Sequence, residues 1–284
     1  MRELLLTALE AASAATSVHL RYAGGRTAVE SAREKGTSDF VSQVDLEAQR
    51  AAVSAIRARF PHHRIMAEEE DPHGREEERR SDGGGTGSHP GAGPVWVVDP
   101  LDGTTNYLHR HPQYAASVGI LEAGRAVAGA VMAGATGERW WALRGSGAYK
   151  DGHRIHTSAV RALPDALVGT GYPFKRLDLL PAYLEQFGRV LPATMGIRRG
   201  GSAALDLCAL AQGTLDGFWE LILSPWDITA GVAILEEAGG VACRVDGSPL
   251  RMEEPESVLA ANSRRLLTSL KEVVGGDEKP SRPG

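Results

Sequence analysis

The stretch that most limits what this chain can become is Val95-Trp-Val-Val-Asp99-Pro-Leu-Asp102-Gly-Thr104-Thr105-Asn-Tyr107. Its first four residues are apolar β-formers and predict a buried strand. Pro100 has no N–H to give to a ladder, Asp102-Gly103 is a turn signal, and Thr104-Thr105 predicts a helix start. Asp99 and Asp102 therefore stand on a tight turn between a rigid strand and a helix N-terminus. Two carboxylates held close repel each other, and a hard cation such as Mg²⁺ relieves the repulsion. The free N–H groups next door suit a phosphate. A cation site beside an anion site is what metal-assisted phosphate-ester hydrolysis needs. Taken alone, the same residues also suit a turn in which both aspartates only cap backbone.

The rest of the chain bounds the choice. Its 284 residues, 42% hydrophobic, suit one large domain or two intimately packed halves. A net charge of −5 gives no footprint of the strongly basic, nucleic-acid-binding kind. No apolar run approaches the ~18 residues of a membrane span. Residues 3–22 predict an amphipathic helix rather than a signal peptide. Cys208 and Cys243 stand far apart, outside any metal spacing, and read as reduced, buried thiols of a cytoplasmic protein. Residues 71–94, rich in Gly, Pro and charge, predict a poorly ordered loop, and 275–284 a disordered tail.

Asp99-Pro-Leu-Asp-Gly-Thr-Thr-Asn-Tyr107 resembles the signature of the inositol monophosphatase family, Mg²⁺-dependent, lithium-sensitive phosphatases of small phosphorylated sugars and cyclitols. Other segments are similar to that family. Lys35-Gly-Thr-Ser-Asp-Phe-Val-Ser-Gln-Val-Asp45 leads into a helix expected at 46–59, with Asp45 as its N-cap. The resemblance implies that Asp45 orients Thr104, and that Lys35 lies near the phosphate; on its own, Lys35 reads equally as a solvated loop lysine. Glu68-Glu69-Glu70 by itself is a solvated charge run, but the resemblance makes Glu68 a metal ligand. Ser224-Pro-Trp-Asp227 predicts a helix start with a first-turn acid; by resemblance Asp227 is the third metal-binding aspartate. Gly200-Gly-Ser-Ala-Ala-Leu-Asp206 predicts another helix mouth. There the resemblance implies substrate contacts from the Gly201 and Ala203 backbone, and from Glu220 seven residues before Asp227. Arg199 and Asp206 either line that pocket or pair structurally.

What the resemblance implies is then complete. The fold is a layered α/β protein, an αβαβα sandwich with a large mixed, mostly antiparallel sheet in an N-terminal half (1–150) and a smaller sheet with helices in a C-terminal half (151–274). Glu68, Asp99, the Leu101 carbonyl, Asp102 and Asp227 gather two or three Mg²⁺ ions. Glu68 and Thr104 orient a water, and Gly103, Thr104 and Thr105 hold the phosphate. The expected substrate is a phosphorylated cyclitol or sugar, inositol monophosphate first and fructose bisphosphate or a nucleotide next. The expected assembly is a homodimer without membrane or direct nucleic-acid contact; a transcription-machinery binding role is the reading of another class.

Overall fold

A computed structural model describes residues 1–23, 43–69 and 93–276. Lys35, residues 71–92 of the long loop and 277–284 of the tail lie outside the described residues. Helices α1 (Arg2–Tyr22) and α2 (Gln43–Arg59) pack on each other and on one face of a sheet. That sheet begins with β1 (Arg64–Ala67) parallel to β2 (Val95–Asp102). After the five-residue α3 (Thr104–Leu108) come the antiparallel β3 (Ala115–Glu122), β4 (Arg125–Ala133), β5 (Arg139–Leu143), β6 (Gly147–Lys150) and β7 (His153–Ile155). The seven strands lie in sequence order. β3 to β7 form an antiparallel meander.

The second sheet contains β8 (Leu167–Thr170), β9 (Gly196–Arg198), β10 (Gly217–Leu223), β11 (Val241–Cys243) and β12 (Glu256–Ala261) in the order β11-β12-β10-β8-β9. β10, the central strand, was not anticipated. Four helices accompany this sheet: α4 (Leu180–Ala193), α5 (Ala203–Ala211), α6 (Pro225–Glu237) and α7 (Arg264–Gly275). Cys208 and Cys243 are free and buried. No helix among the described residues is long and apolar enough to cross a membrane.

Three apolar clusters define the layers. Leu4, Ala8, Val44 and Ile56 of α1 and α2 meet Trp96, Val98, Val118 and Ile120 of the first sheet. On the sheet's other face, Val97, Val131 and Trp140 meet Leu207, Ile228 and Ile234 of α5 and α6, which in turn cover Phe218, Val258 and Ala260 of the second sheet. Tyr183, Val190, Leu266 and Leu270 of α4 and α7 close the far side of that sheet on Trp219 and Leu259. The result is the αβαβα sandwich. α6 lies directly against the first sheet because the strands beneath it carry glycine. A Cβ on Gly129 of β4 would stand 2.5 Å from the Ala230 carbonyl oxygen. This close seat brings the start of α6, from the second half of the chain, onto the end of β2.

Candidate active site

Asp99 and Asp102 are three residues apart, and in a regular strand they would face opposite sides. They do not, because β2 carries a bulge. Asp99 pairs with Ser117 and Asp102 with Ala115, so β2 spends three steps where β3 spends two. Val98 and Leu101 accordingly both pack in the cluster under α1 and α2, while Asp99 and Asp102 both turn toward α6. There they meet Asp227. One carboxylate oxygen from each of Asp99, Asp102 and Asp227 lies within 4.8 Å of the other two.

Each acid is held from behind. Leu101 N–H donates to Asp99 Oδ1 at 2.9 Å. Asp102 Oδ2 accepts from the Ser202 hydroxyl at 2.6 Å and from Ala204 N–H at 2.8 Å, so it docks on the first turn of α5. Asp227 is the third helical residue of α6, and its Oδ2 accepts the Ser224 N–H at 2.6 Å in a capping box. Glu68 follows β1, where its N–H donates to the Val98 carbonyl at 3.2 Å. Gln49 of α2 fixes the next residue, exchanging two hydrogen bonds with the Glu69 backbone.

The electrostatics show what the group lacks. Burial, and then the neighbouring Glu68, Asp102 and Asp227, holds Asp99 well above the carboxylate range. Burial and Asp227 push Asp102 up to about 7, against the pull of its Ser202 and Ala204 hydrogen bonds. Burial and Asp227 push Glu68 to about 8, although Lys175 opposes them. Asp227 is raised too, mainly by burial. Four acids that resist ionisation in one another's presence form a site that calls for positive charge. The grouped donors are carboxylate oxygens, with no thiol or imidazole among them in the described residues, which fits a hard divalent cation.

Thr104 stands beside the cluster. Its hydroxyl lies 3.1 Å from both Asp45 Oδ1 and the Leu101 carbonyl oxygen. Asp45 is not the N-cap expected from the sequence, because α2 already includes Gln43 and Asp45 sits in its first turn. A cap would spend its oxygen on its own helix; the carboxylate of Asp45 is buried and turned to Thr104 instead. Gly103 caps α3 with φ +90°, a left-handed conformation that favours glycine. A Cβ there would stand 2.7 Å from the Gln113 carbonyl oxygen. Thr105 is exposed at the same helix start.

Across the cluster, Gly201 also has a left-handed φ of +89°, and a Cβ there would strike the Arg199 guanidinium. Ala203 opens α5. Glu220, on β10, is buried, and its carboxyl group lies where a Cβ of Gly171 would be. Burial raises it well above the carboxylate range, followed by the charges of Asp227, Asp206 and Asp102. Asp206 is likewise raised, to about 8, by burial and by Asp102. The Arg199 guanidinium covers the Tyr172 ring at 4.9 Å.

Two contributors were not among the expected site residues. Ser202 caps its helix by accepting from Leu205 N–H at 3.3 Å, and its hydroxyl also donates to Asp102. Lys175 reaches from the loop after β8 to within 3.8 Å of Glu68 Oε1. The Gly171-Tyr-Pro-Phe-Lys-Arg176 segment around it resembles a loop of bacterial family members, a resemblance that gave Lys175 no role at the metal site.

Comparison with known proteins agrees with this geometry. The profile of the inositol monophosphatase family matches residues 1–275. The putative Nus factor SuhB of Neisseria meningitidis serogroup B is 39% identical over 271 residues, 95% of this chain and 98% of that one. The inositol-1-monophosphatase of Rhizobium meliloti is 38% identical over 240 residues, 84% of each. Among solved structures, inositol monophosphatase from Anabaena superposes with a TM-score of 0.80 at 32% identity, covering 98% of this chain and 97% of that one. With the profile covering nearly its whole length, this chain belongs to the inositol monophosphatase family.

Proposed function

We propose that this chain is a Mg²⁺-dependent phosphomonoesterase that converts myo-inositol 1-phosphate to myo-inositol and phosphate. The family is one of metal-dependent phosphatases. The observation that carries the finer reading is the meeting of Asp99 and Asp102 from one sheet with Asp227 from a helix of the other half. With the Leu101 carbonyl and Glu68, these residues would hold the two or three ions. Bound there, Mg²⁺ supplies a water of lowered pKa and charge stabilisation for the leaving alkoxide.

The protein's own part is orientation. Glu68 accepts a hydrogen bond from the attacking water, and Thr104, held by Asp45, accepts or passes the other. Gly103, Thr104 and Thr105 receive the phosphate oxygens. Gly201, Ala203 and Glu220 receive the ring hydroxyls. In this reading the phosphoryl group passes directly to water, with no side chain among the described residues taking the part of a nucleophile. The test is phosphate release from a panel of cyclitol, sugar and nucleotide phosphates with Mg²⁺, repeated with Li⁺. The reading stands if inositol monophosphate is the best substrate and Li⁺ inhibits; it falls if no phosphomonoester is hydrolysed.

A second reading follows from relatives named Nus factors at 36–39% identity. In it the chain binds transcription machinery. Retention of RNA polymerase by a variant lacking Asp99 and Asp227 would support it, and loss of binding along with the carboxylates would not.

A further inference from the structure

One buried titratable group takes no part in the chemistry above. His19, near the end of α1, is fully buried between the rings of Tyr107 and Tyr114, with centroids 5.9 Å and 5.8 Å away. Its Nε2 lies 2.7 Å from the Pro100 carbonyl oxygen. A carbonyl only accepts, so Nε2 carries the proton and donates. Burial pushes the ring's pKa down to about 4, which keeps it in this neutral form. Nδ1 is left buried without a partner, and such a group costs stability. The ring is kept in spite of that cost.

The position of Pro100 explains what the bond does. Pro100 is at the bulge, between the paired residues Asp99 and Asp102, where the ladder to β3 breaks register. Its carbonyl is buried with the strand and needs a donor. His19 supplies it from the opposite layer. The same residue holds the far end of the motif, since Tyr107 Oη donates to the His19 carbonyl at 2.9 Å. One residue of α1 therefore grips both Pro100 and Tyr107, on either side of Leu101, Asp102 and Thr104.

We propose that His19 is a positioning residue for the metal site: its Nε2–H fixes the Pro100 carbonyl, and with it the bulge that turns Asp99, the Leu101 carbonyl and Asp102 toward one cation. This rests on the assignment of the three aspartates as metal ligands. Partners behind ligands typically change metal affinity by about tenfold to hundredfold.

The test compares His19→Gln with His19→Asn in the full chain. Both put a neutral amide in the same cavity, but only glutamine is long enough to bring an N–H to the Pro100 carbonyl. The probe is Mn²⁺ alone, titrated by electron paramagnetic resonance, beside the metal-free unfolding midpoint. The expected result is near-native Mn²⁺ affinity in His19→Gln and a loss of about tenfold or more in His19→Asn. Tyr107→Phe, which deletes one hydroxyl, is expected to shift affinity several-fold in the same direction and covers the case of an unfolded His19→Asn. Equal Mn²⁺ affinity in all variants, with only the unfolding midpoint lowered, would overturn the inference. Absence of Mn²⁺ binding in the unaltered chain would overturn the metal-site assignment itself, and this inference with it.

Discussion

Asp99 shows how far one side chain can be at odds with its own fold. It is buried, it faces three other acids, and its carboxyl is held well above the usual range. Asp99→Asn removes the charge and keeps the shape. We expect the metal-free variant to unfold at a higher temperature than the unaltered protein, because a buried repulsion is gone. It should also lose Mg²⁺-dependent phosphate release by at least ~10²–10³-fold, the scale of losing a single transition-state contact. Calorimetry and a phosphate assay on the same preparation check both halves. Glu220→Gln should behave differently. Its carboxyl group lies against Gly171; if it receives ring hydroxyls as proposed, KM for inositol phosphate should rise while Mn²⁺ affinity and hydrolysis of p-nitrophenyl phosphate stay near native, and equal losses on both substrates would remove it from that role. At this scale much was legible. The Asp99–Asp102 pair and the Trp-Asp227 element are short, dense motifs in which every residue type is chemically constrained. Lys175 and His19 were not legible, since each acts through a contact distant in sequence, and neither belongs to a pattern.

At the scale of elements, helix starts were readable and the bulge was not. Ser224, Pro225 and Asp227 encode the start of α6 in four consecutive residues, and Ser263 caps α7 by accepting from Leu266 N–H. The β2 bulge has no such local code. Pro100 says that the ladder must be interrupted, but not which way the next carboxylate turns; that is settled by β3 and by α1. Asp45 is no N-cap for a related reason. An aspartate before a helical run reads as a cap; its partner Thr104 followed from the resemblance and not from the local residues. The glycines of β3 and β4 likewise look like weak points in strands until α6 lies on them. Gly129→Ala should force α6 away from the sheet, since its new Cβ would stand 2.5 Å from a backbone oxygen. The expected cost is about 1–3 kcal/mol of stability, as for an overpacked core. Because Asp227 travels with α6, Mn²⁺ affinity should fall in the same variant. A urea titration with and without Mn²⁺ measures both, and a drop in stability with unchanged Mn²⁺ affinity would show that α6 does not set the position of Asp227.

For the whole molecule, the layer order followed from resemblance and from the alternation of helical and strand patterns, while the central place of β10 did not. The site it helps build joins two layers of the fold through buried acids, and this makes folding stability respond to pH and metal together. Glu68, Asp99, Asp102 and Asp227 all have folded-state pKa values above their unfolded ones. Below about pH 4 both states hold these protons, and pH has no effect through them. Between there and the folded values, about 7 for Asp102 and about 8 for Glu68, the unfolded chain has released protons that the folded chain keeps. Stability must then fall as pH rises. In the presence of chelator, the unfolding temperature should therefore decline from about pH 5 to about pH 8 relative to Asp99→Asn, a comparison that cancels the rest of the titrating surface. Saturating Mg²⁺ binds the ionised acids and favours the folded state as any specific ligand does, by about 2.7 kcal/mol at a hundredfold excess over Kd. Under Mg²⁺ the decline should disappear or reverse. A chelated protein whose midpoint, relative to Asp99→Asn, is flat or rises over that range would mean that the four acids are not held together in the folded state.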